Sequence, residues 1–136
     1  MRLLLDTHVL VWATLEPDRL RRPVRAAITD PAHDVFVSAA SAWEIAIKAA
    51  LGRLSFPLDR IEGVLAQMGI WPLPISLAHA VAAGSLPRHH DDPFDRMLVA
   101  QARLEGLVLV TEDTALARYD VPILGRESGG GSSTGP

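Results

Sequence analysis

The chain has no cysteine among its 136 residues. That excludes disulfides and thiolate chemistry, and it agrees with a cytoplasmic location. No apolar run approaches the roughly 18 residues that cross a bilayer, so no membrane span is expected. The N-terminus lacks a basic segment before an apolar stretch and a small-residue cleavage site, so no signal peptide is expected. A Gly-rich phosphate loop is missing, as is the nucleophile elbow of Ser-His-Asp catalysis. An excess of positive charge is missing too. The formal net charge is −3, so contact with a polyanion must come from a local cluster rather than from the overall field. Arg19, Arg21, Arg22 and Arg25 form the obvious cluster, and a solvated helix face is the favoured reading of it.

What the chain has in quantity is apolar surface. Hydrophobic residues make up 49% of it, and the mean hydropathy is +0.20. The length allows one domain with a real core. The apolar excess points to a face covered by a partner, most simply a second copy in a homodimer.

The organising stretch is Met1 to Ala13, MRLLLDTHVLVWA. Leu3 to Leu5 is an unbroken apolar run closed by Asp6, the pattern of a parallel strand buried on both faces. A helix over His8–Leu15 follows, ended by Glu16-Pro17, and a second helix is expected over Arg19–Thr29 with Pro23 in its first turn. Asp34–Ser38 reads as a second buried strand. Ser41–Leu51 reads as a helix stopped by Gly52 at the position after the cap. A helix over Leu58–Met68 ends at Gly69, and Ile70–Ile75 is a Pro-interrupted strand near an edge. Ser76 caps a helix through Ala83, closed by Gly84, and Arg88–Asp92 is a polar loop. Pro93–Glu105 is a strongly periodic helix ending at Gly106. Leu107–Val110 is the most apolar strand, with Thr111-Glu112-Asp113 and a short helix after it, and Val121–Leu124 is the last strand. Strands alternating with helices imply an α/β sandwich around a parallel sheet. The domain is expected to span residues 1–126, and Glu127–Pro136, ESGGGSSTGP, has the composition of a flexible linker.

The acids are distributed in a pattern. Asp6 and Asp113 each follow an apolar strand, which places both at the carboxyl edge of the sheet, where open α/β sheets bind ligands. Asp92 and Asp95 open the helix before Leu107–Val110. In right-handed strand–helix–strand units helix N-termini lie at that same edge. Glu44 stands early in the helix after the second strand. Four carboxylates at positions 6, 44, 95 and 113 around one point repel one another unless a cation neutralises them. Hard oxygen donors in that number suit Mg²⁺ or Mn²⁺.

Each acid also has a purely structural reading. Asp6 and Asp113 are good helix caps, and Asp92 and Asp95 complement a helix dipole. Glu44 completes a capping box with Ser41 or pairs with Lys48 one turn on. His89-His90-Asp91-Asp92 suggests zinc but lacks further ligands at a paired spacing. It reads as a solvated loop with His90 packing near the acids. Trp12, Trp43 and Trp71 are expected in the core or a dimer interface rather than as base-stacking platforms.

The stretches LLLDTHVLVWA, VSAASAWEIAIKAALGRL, HHDDPFDRMLVAQA and LVLVTEDTAL follow one another in the order and spacing of PIN-domain proteins. The likeness covers nearly all of residues 2–124 and is greatest to VapC-type toxins of bacterial toxin–antitoxin pairs. The resemblance implies a three-layer α/β sandwich with sheet order 3-2-1-4-5, and a Mg²⁺- or Mn²⁺-dependent ribonuclease that is inhibited by a cognate antitoxin protein. It implies that Asp6, Glu44, Asp95 and Asp113 are the metal-holding catalytic acids. Asp92 ranks below Asp95, and Thr7, Ser41 and Thr111 stand as polar neighbours of the metal. Three rivals fit less well. A haloacid-dehalogenase-like phosphatase needs a second Asp where His8 stands, and a receiver module needs an Asp where the third expected strand ends in Ser76. A catalytically inactive PIN-fold interaction module has no need of an intact four-acid set.

Overall fold

A computed structural model describes residues 1–125, so Arg126 and the expected flexible tail, Glu127–Pro136, lie outside the described residues. Five strands form one sheet: β1 (Arg2–Leu5), β2 (Asp34–Ser38), β3 (Ile70–Leu73), β4 (Val108–Thr111) and β5 (Ile123–Gly125). Their order is β3-β2-β1-β4-β5, and every pairing is parallel. The helices are α1 (Thr7–Leu15), α2 (Arg22–Thr29), α3 (Ala39–Ala50), α4 (Ile61–Gln67), α5 (Leu77–Ser85) and α6 (Pro93–Glu105), with 3₁₀ turns at Pro17–Arg19, Leu58–Arg60 and Thr114–Arg118.

The Leu3-Leu4-Leu5 run does what a continuous apolar strand predicts. Leu3 and Leu5 enter a cluster with Val9, Leu10, Val24, Ile45 and Leu65 on one face of the sheet. Leu4 enters a second cluster with Leu98, Leu109 and Leu116 on the other. All three leucines are fully buried, each stabilising the fold by roughly 1.5–3 kcal/mol through transfer out of water. Helices cover both faces, so the architecture is the expected three-layer sandwich. The order reverses between β1 and β4, and the crevice at that switch point is the ligand position of such sheets. Among the described residues no helix is long and apolar enough to cross a membrane.

Several element ends differ from expectation, each for a local reason. The helix expected over Arg19–Thr29 is split: the chain is extended at Leu20 and Arg21, and α2 opens at Arg22 with Pro23 in its first turn. The segment expected as a helix over Leu58–Met68 begins with a 3₁₀ turn before α4. Ser38, not Ser41, caps α3 by accepting from Ala40 N at 2.9 Å, because β2 passes into the helix without a loop. The Ser41–Glu44 capping box therefore does not form. Gly84 lies inside α5, which ends where Leu86 is held extended ahead of Pro87. The third strand stops at Leu73, between two prolines on the sheet edge. Leu107 lies just beyond α6, its N–H closing the capping turn onto Ala102 O, so β4 starts one residue later. Gly106, at φ 69°, supplies the left-handed C-cap. Gly125 packs so close to the Thr111 carbonyl that a Cβ would collide with it, which keeps β5 tight against the end of β4.

Candidate active site

Asp6 leaves β1 and immediately caps α1. Its Oδ1 accepts from Val9 N at 2.9 Å, and its Oδ2 accepts from the Thr111 hydroxyl at the end of β4. The same Thr111 oxygen accepts from Asp113 N at 2.9 Å. One hydroxyl thus ties together the two acids that follow β1 and β4. Asp6 is only 4% exposed, and burial pushes its pKa up against the lowering effect of these hydrogen bonds. Thr7 and Ser41 are both buried, and the Thr7 hydroxyl donates to Ser41 Oγ at 3.0 Å, which joins the starts of α1 and α3.

The opening of α6 supplies two acids with different work. Asp92 is the cap, with its Oδ1 accepting from Phe94 N at 2.8 Å and from Asp95 N at 3.3 Å. That leaves Asp95, half-buried, to face the crevice. Its Oδ2 lies 2.9 Å from His90 Nε2. The pKa of Asp95 is pushed up to about 7, first by burial, then by the negative charges of Asp92 and Asp6 and, more weakly, Glu44; His90 works in the opposite direction. Asp113 caps the 3₁₀ turn through Ala115 N at 2.9 Å, while its Oδ2 stands 3.6 Å from His90 Nε2.

His90 Nε2 and one carboxylate oxygen each of Asp95 and Asp113 all lie within 4.8 Å of one another. Asp6 and Glu44 stand outside that tight group and act on Asp95 through their charge. Both Asp6 oxygens are already engaged. Glu44 turns one oxygen to Lys48 Nζ at 3.0 Å, the i,i+4 pair its spacing allowed. Its other oxygen, Oε1, is buried without a hydrogen-bond partner. An orphaned carboxylate oxygen is costly in a dry setting, and a cation is the partner that would satisfy it. Buried carboxyls crowded by other negative charges and an unpartnered Glu44 oxygen together fit a hard divalent cation.

The other residues singled out in the sequence fall elsewhere. Among the arginines, Arg19 lies over the Trp12 ring at 4.6 Å and 3.8 Å from Glu16, and Arg25 pairs with Asp18 at 2.9 Å. They follow α1, whose nine residues carry the chain about 13 Å from Asp6. Trp12 packs against the core, but Trp43 and Trp71 are each 62% exposed and so are not core residues. Trp43 meets the Phe94 ring edge-on at 5.3 Å.

One contributor was read only in part from the sequence and one not at all. The His90 contact with the acids is closer than a loop beside the site implies, and its one signal was nearness to Asp92 and Asp95 in the chain. Arg96 gave none. Its guanidinium donates to the carbonyls of Ala83 (2.9 Å), Leu86 (3.0 Å), Pro87 (3.0 Å) and His90 (3.4 Å), which fastens the segment that carries His90.

Comparison with known proteins agrees with this fold. The family model described as PIN domain matches residues 3–122. The chain is 34% identical over 126 residues to Ribonuclease VapC22 of Mycobacterium tuberculosis, covering 88% of this chain and 92% of that protein. Among solved structures, VapBC2 from Rickettsia felis bound to a DNA fragment from its promoter superposes with a TM-score of 0.68 at 14% identity, covering 91% of this chain and 98% of that one. DNA-bound VapBC from Salmonella typhimurium gives 0.66 at 18% identity, covering 91% and 97%. The structural matches speak to the fold, and the family match and the mycobacterial relative speak to descent: this chain belongs to the PIN domain family, in its VapC-type branch.

Proposed function

We propose that this protein is an endoribonuclease dependent on Mg²⁺ or Mn²⁺, acting as the toxin of a type II toxin–antitoxin pair, with Asp6, Glu44, Asp95 and Asp113 as its site. The observation that carries the reading is Asp95, a half-buried carboxyl crowded by three other acids at the switch point of the sheet. Stability alone does not favour such crowding; a charged ligand does. A divalent cation held there would supply water activation and charge neutralisation at the phosphate. The protein's own part is positional. Thr111 orients Asp6 and the backbone of Asp113, Asp92 fixes the first turn of α6 so that Asp95 faces inward, and Thr7 with Ser41 sets α3 and hence Glu44 against α1. Asp6, Glu44, Asp95 and Asp113 would hold the cation, and its charge would offset theirs toward an anionic RNA phosphodiester.

The test is cleavage of total and structured RNA by the purified protein, with Mn²⁺ or Mg²⁺ and with chelator. Cleavage is expected with either metal and is expected to stop on chelation. Cleavage that survives thorough chelation would overturn the metal mechanism.

The relatives solved as VapBC complexes support a cognate antitoxin as partner, and an Arg of that chain set against the carboxylates would compete with the metal. The apolar excess has a structural counterpart. Trp43 and Ile47 on α3 and Leu51 at its C-cap lie at i, i+4 and i+8 and are exposed, as are Leu77 and Val81 on α5. These support a homodimer. Light scattering is expected to give twice the chain mass at micromolar concentration, with Leu51→Asp shifting the protein toward monomer. A parent protein that is monomeric at high micromolar concentration removes the dimer.

A further inference from the structure

We infer that His90 is a nitrogen donor to the divalent cation, so that the site is not purely carboxylate and favours Mn²⁺ over Mg²⁺. The inference rests on the metal-dependent reading above and concerns which atoms of this chain complete the site.

Donor atoms about 2.1 Å from a common cation stand about 3.0 Å apart at right angles and about 3.4 Å apart at the tetrahedral angle. His90 Nε2 is 2.9 Å from Asp95 Oδ2 and 3.6 Å from Asp113 Oδ2. The first distance matches right-angle ligand spacing and the second is slightly longer than the tetrahedral one, so one nitrogen stands near two carboxylates on different elements, the start of α6 and the turn after β4.

The segment carrying His90 is built to hold it there. The His90 carbonyl accepts from Arg96 and from the Tyr119 hydroxyl, each at 3.4 Å. Arg96 also grips three carbonyls upstream, and the His89 ring rests against Tyr119 at 5.1 Å. A merely solvated loop does not require this fastening. The other imidazoles do not compete. His89 faces Tyr119. His79 is buried against Glu105 and Ser76. His33 bonds to the Ala27 carbonyl. His8 acts on Asp6 by charge but is exposed and outside the tight group. Imidazole is a poor donor to Mg²⁺ and a better one to transition metals, which gives the metal preference its direction.

A different role for the same contact is a protonated His90 serving as counter-cation to Asp95 and Asp113. The two roles predict opposite effects on affinity. As a ligand, His90 strengthens metal binding; as a counter-cation, it competes with the metal.

The experiment uses the full chain, freed of metal and titrated with Mn²⁺ and Mg²⁺ by calorimetry, alongside pulsed electron paramagnetic resonance of the Mn²⁺-loaded protein. The parent is expected to show an imidazole nitrogen coupling that vanishes in His90→Ala and persists in His8→Ala. His90→Ala is expected to lose about tenfold or more in Mn²⁺ affinity and clearly less in Mg²⁺ affinity. A parent spectrum without imidazole nitrogen overturns the inference and needs no variant to fold. Unchanged or tighter Mn²⁺ binding in His90→Ala overturns it as well, the tighter case marking a counter-cation. If Asp95→Asn abolishes Mn²⁺ binding while no nitrogen is seen, the acid site stands and only the role of His90 falls. If the parent binds no Mn²⁺ at millimolar concentration, the metal reading itself falls with it.

Discussion

Asp95→Asn is expected to make the metal-free protein more stable at pH 8 while reducing RNA cleavage by roughly a thousandfold or more. The sign follows from the pKa of Asp95, which is raised to about 7 from 3.8 by burial and by Asp92, Asp6 and Glu44. Below pH 3.8 the carboxyl is protonated in both folded and unfolded chains and no penalty exists. Between 3.8 and about 7 the folded chain keeps a proton that the unfolded chain has lost, so stability falls as pH rises. Above that window the penalty is complete. An asparagine at this position cannot ionise, so the advantage of the variant is absent near pH 4 and full at pH 8. It is on the order of 1–3 kcal/mol, partly offset because His90 loses its closer partner and keeps only Asp113. Asp113→Asn is the contrast: that side chain is 44% exposed, water screens its charge, and the amide retains the capping oxygen, so stability should change by less than about 0.5 kcal/mol. Asp6→Asn lies between, because relief of a buried charge is set against disturbance of the Val9 and Thr111 hydrogen bonds. Thermal melts at pH 4, 6 and 8, with chelator and with Mn²⁺, read all of this together. Mn²⁺ at a hundredfold its dissociation constant should add about 2.7 kcal/mol to the parent and little to the Asp95→Asn variant. If that variant is instead less stable than the parent at pH 8, Asp95 is a structural residue.

That one acid carries this burden could not be read from spacing. Periodicity and punctuation placed Asp6, Glu44, Asp92, Asp95 and Asp113 at one edge, because an apolar run closed by Asp marks a strand end and Pro93 marks a helix start. The Pro93–Glu105 helix was legible to the residue, since its cap, its first-turn proline and its terminal glycine are all local signals. Division of labour among the acids depends on which oxygen each local backbone N–H engages. Asp92 and Asp95 look equivalent in DDPFD, yet Asp92 is used as the cap and Asp95 is left facing the crevice. Ser38 and Ser41 present the same problem, since either suits a cap and only the length of the β2–α3 connection decides between them. Gly84 misled because a glycine ends a helix only where the chain must turn left-handed, and here Pro87 ends α5 instead. Arg96 was invisible for a further reason: its partners are backbone carbonyls, and no residue type announces them.

Arg96 is also where the second large effect is expected. Its two guanidinium nitrogens serve four carbonyls: Ala83 inside the last turn of α5, Leu86 and Pro87 just beyond it, and His90 at the crevice. Carbonyls at a helix C-terminus have no partner within the helix, so Arg96 both closes α5 and straps down the chain between α5 and α6. Charge-assisted hydrogen bonds contribute about 1.5–3 kcal/mol each when well formed. These are part-exposed and share one donor group, so their sum is not additive, and Arg96→Ala is expected to cost about 2–4 kcal/mol. Arg96→Lys is the sharper test. It keeps the charge but replaces a planar fork by a single ammonium, which cannot reach Ala83 and Pro87 at once with the same geometry. It should restore part of the lost stability and yet leave residues 86–92 loosened, with faster amide exchange there and unchanged protection in β1 and β4. Because those residues deliver His90 to Asp95 and Asp113, cleavage should fall further than the folded fraction does at 25 °C. An Arg96→Lys variant that melts, exchanges and cleaves like the parent would show that the strap is held by other contacts, Tyr119 among them.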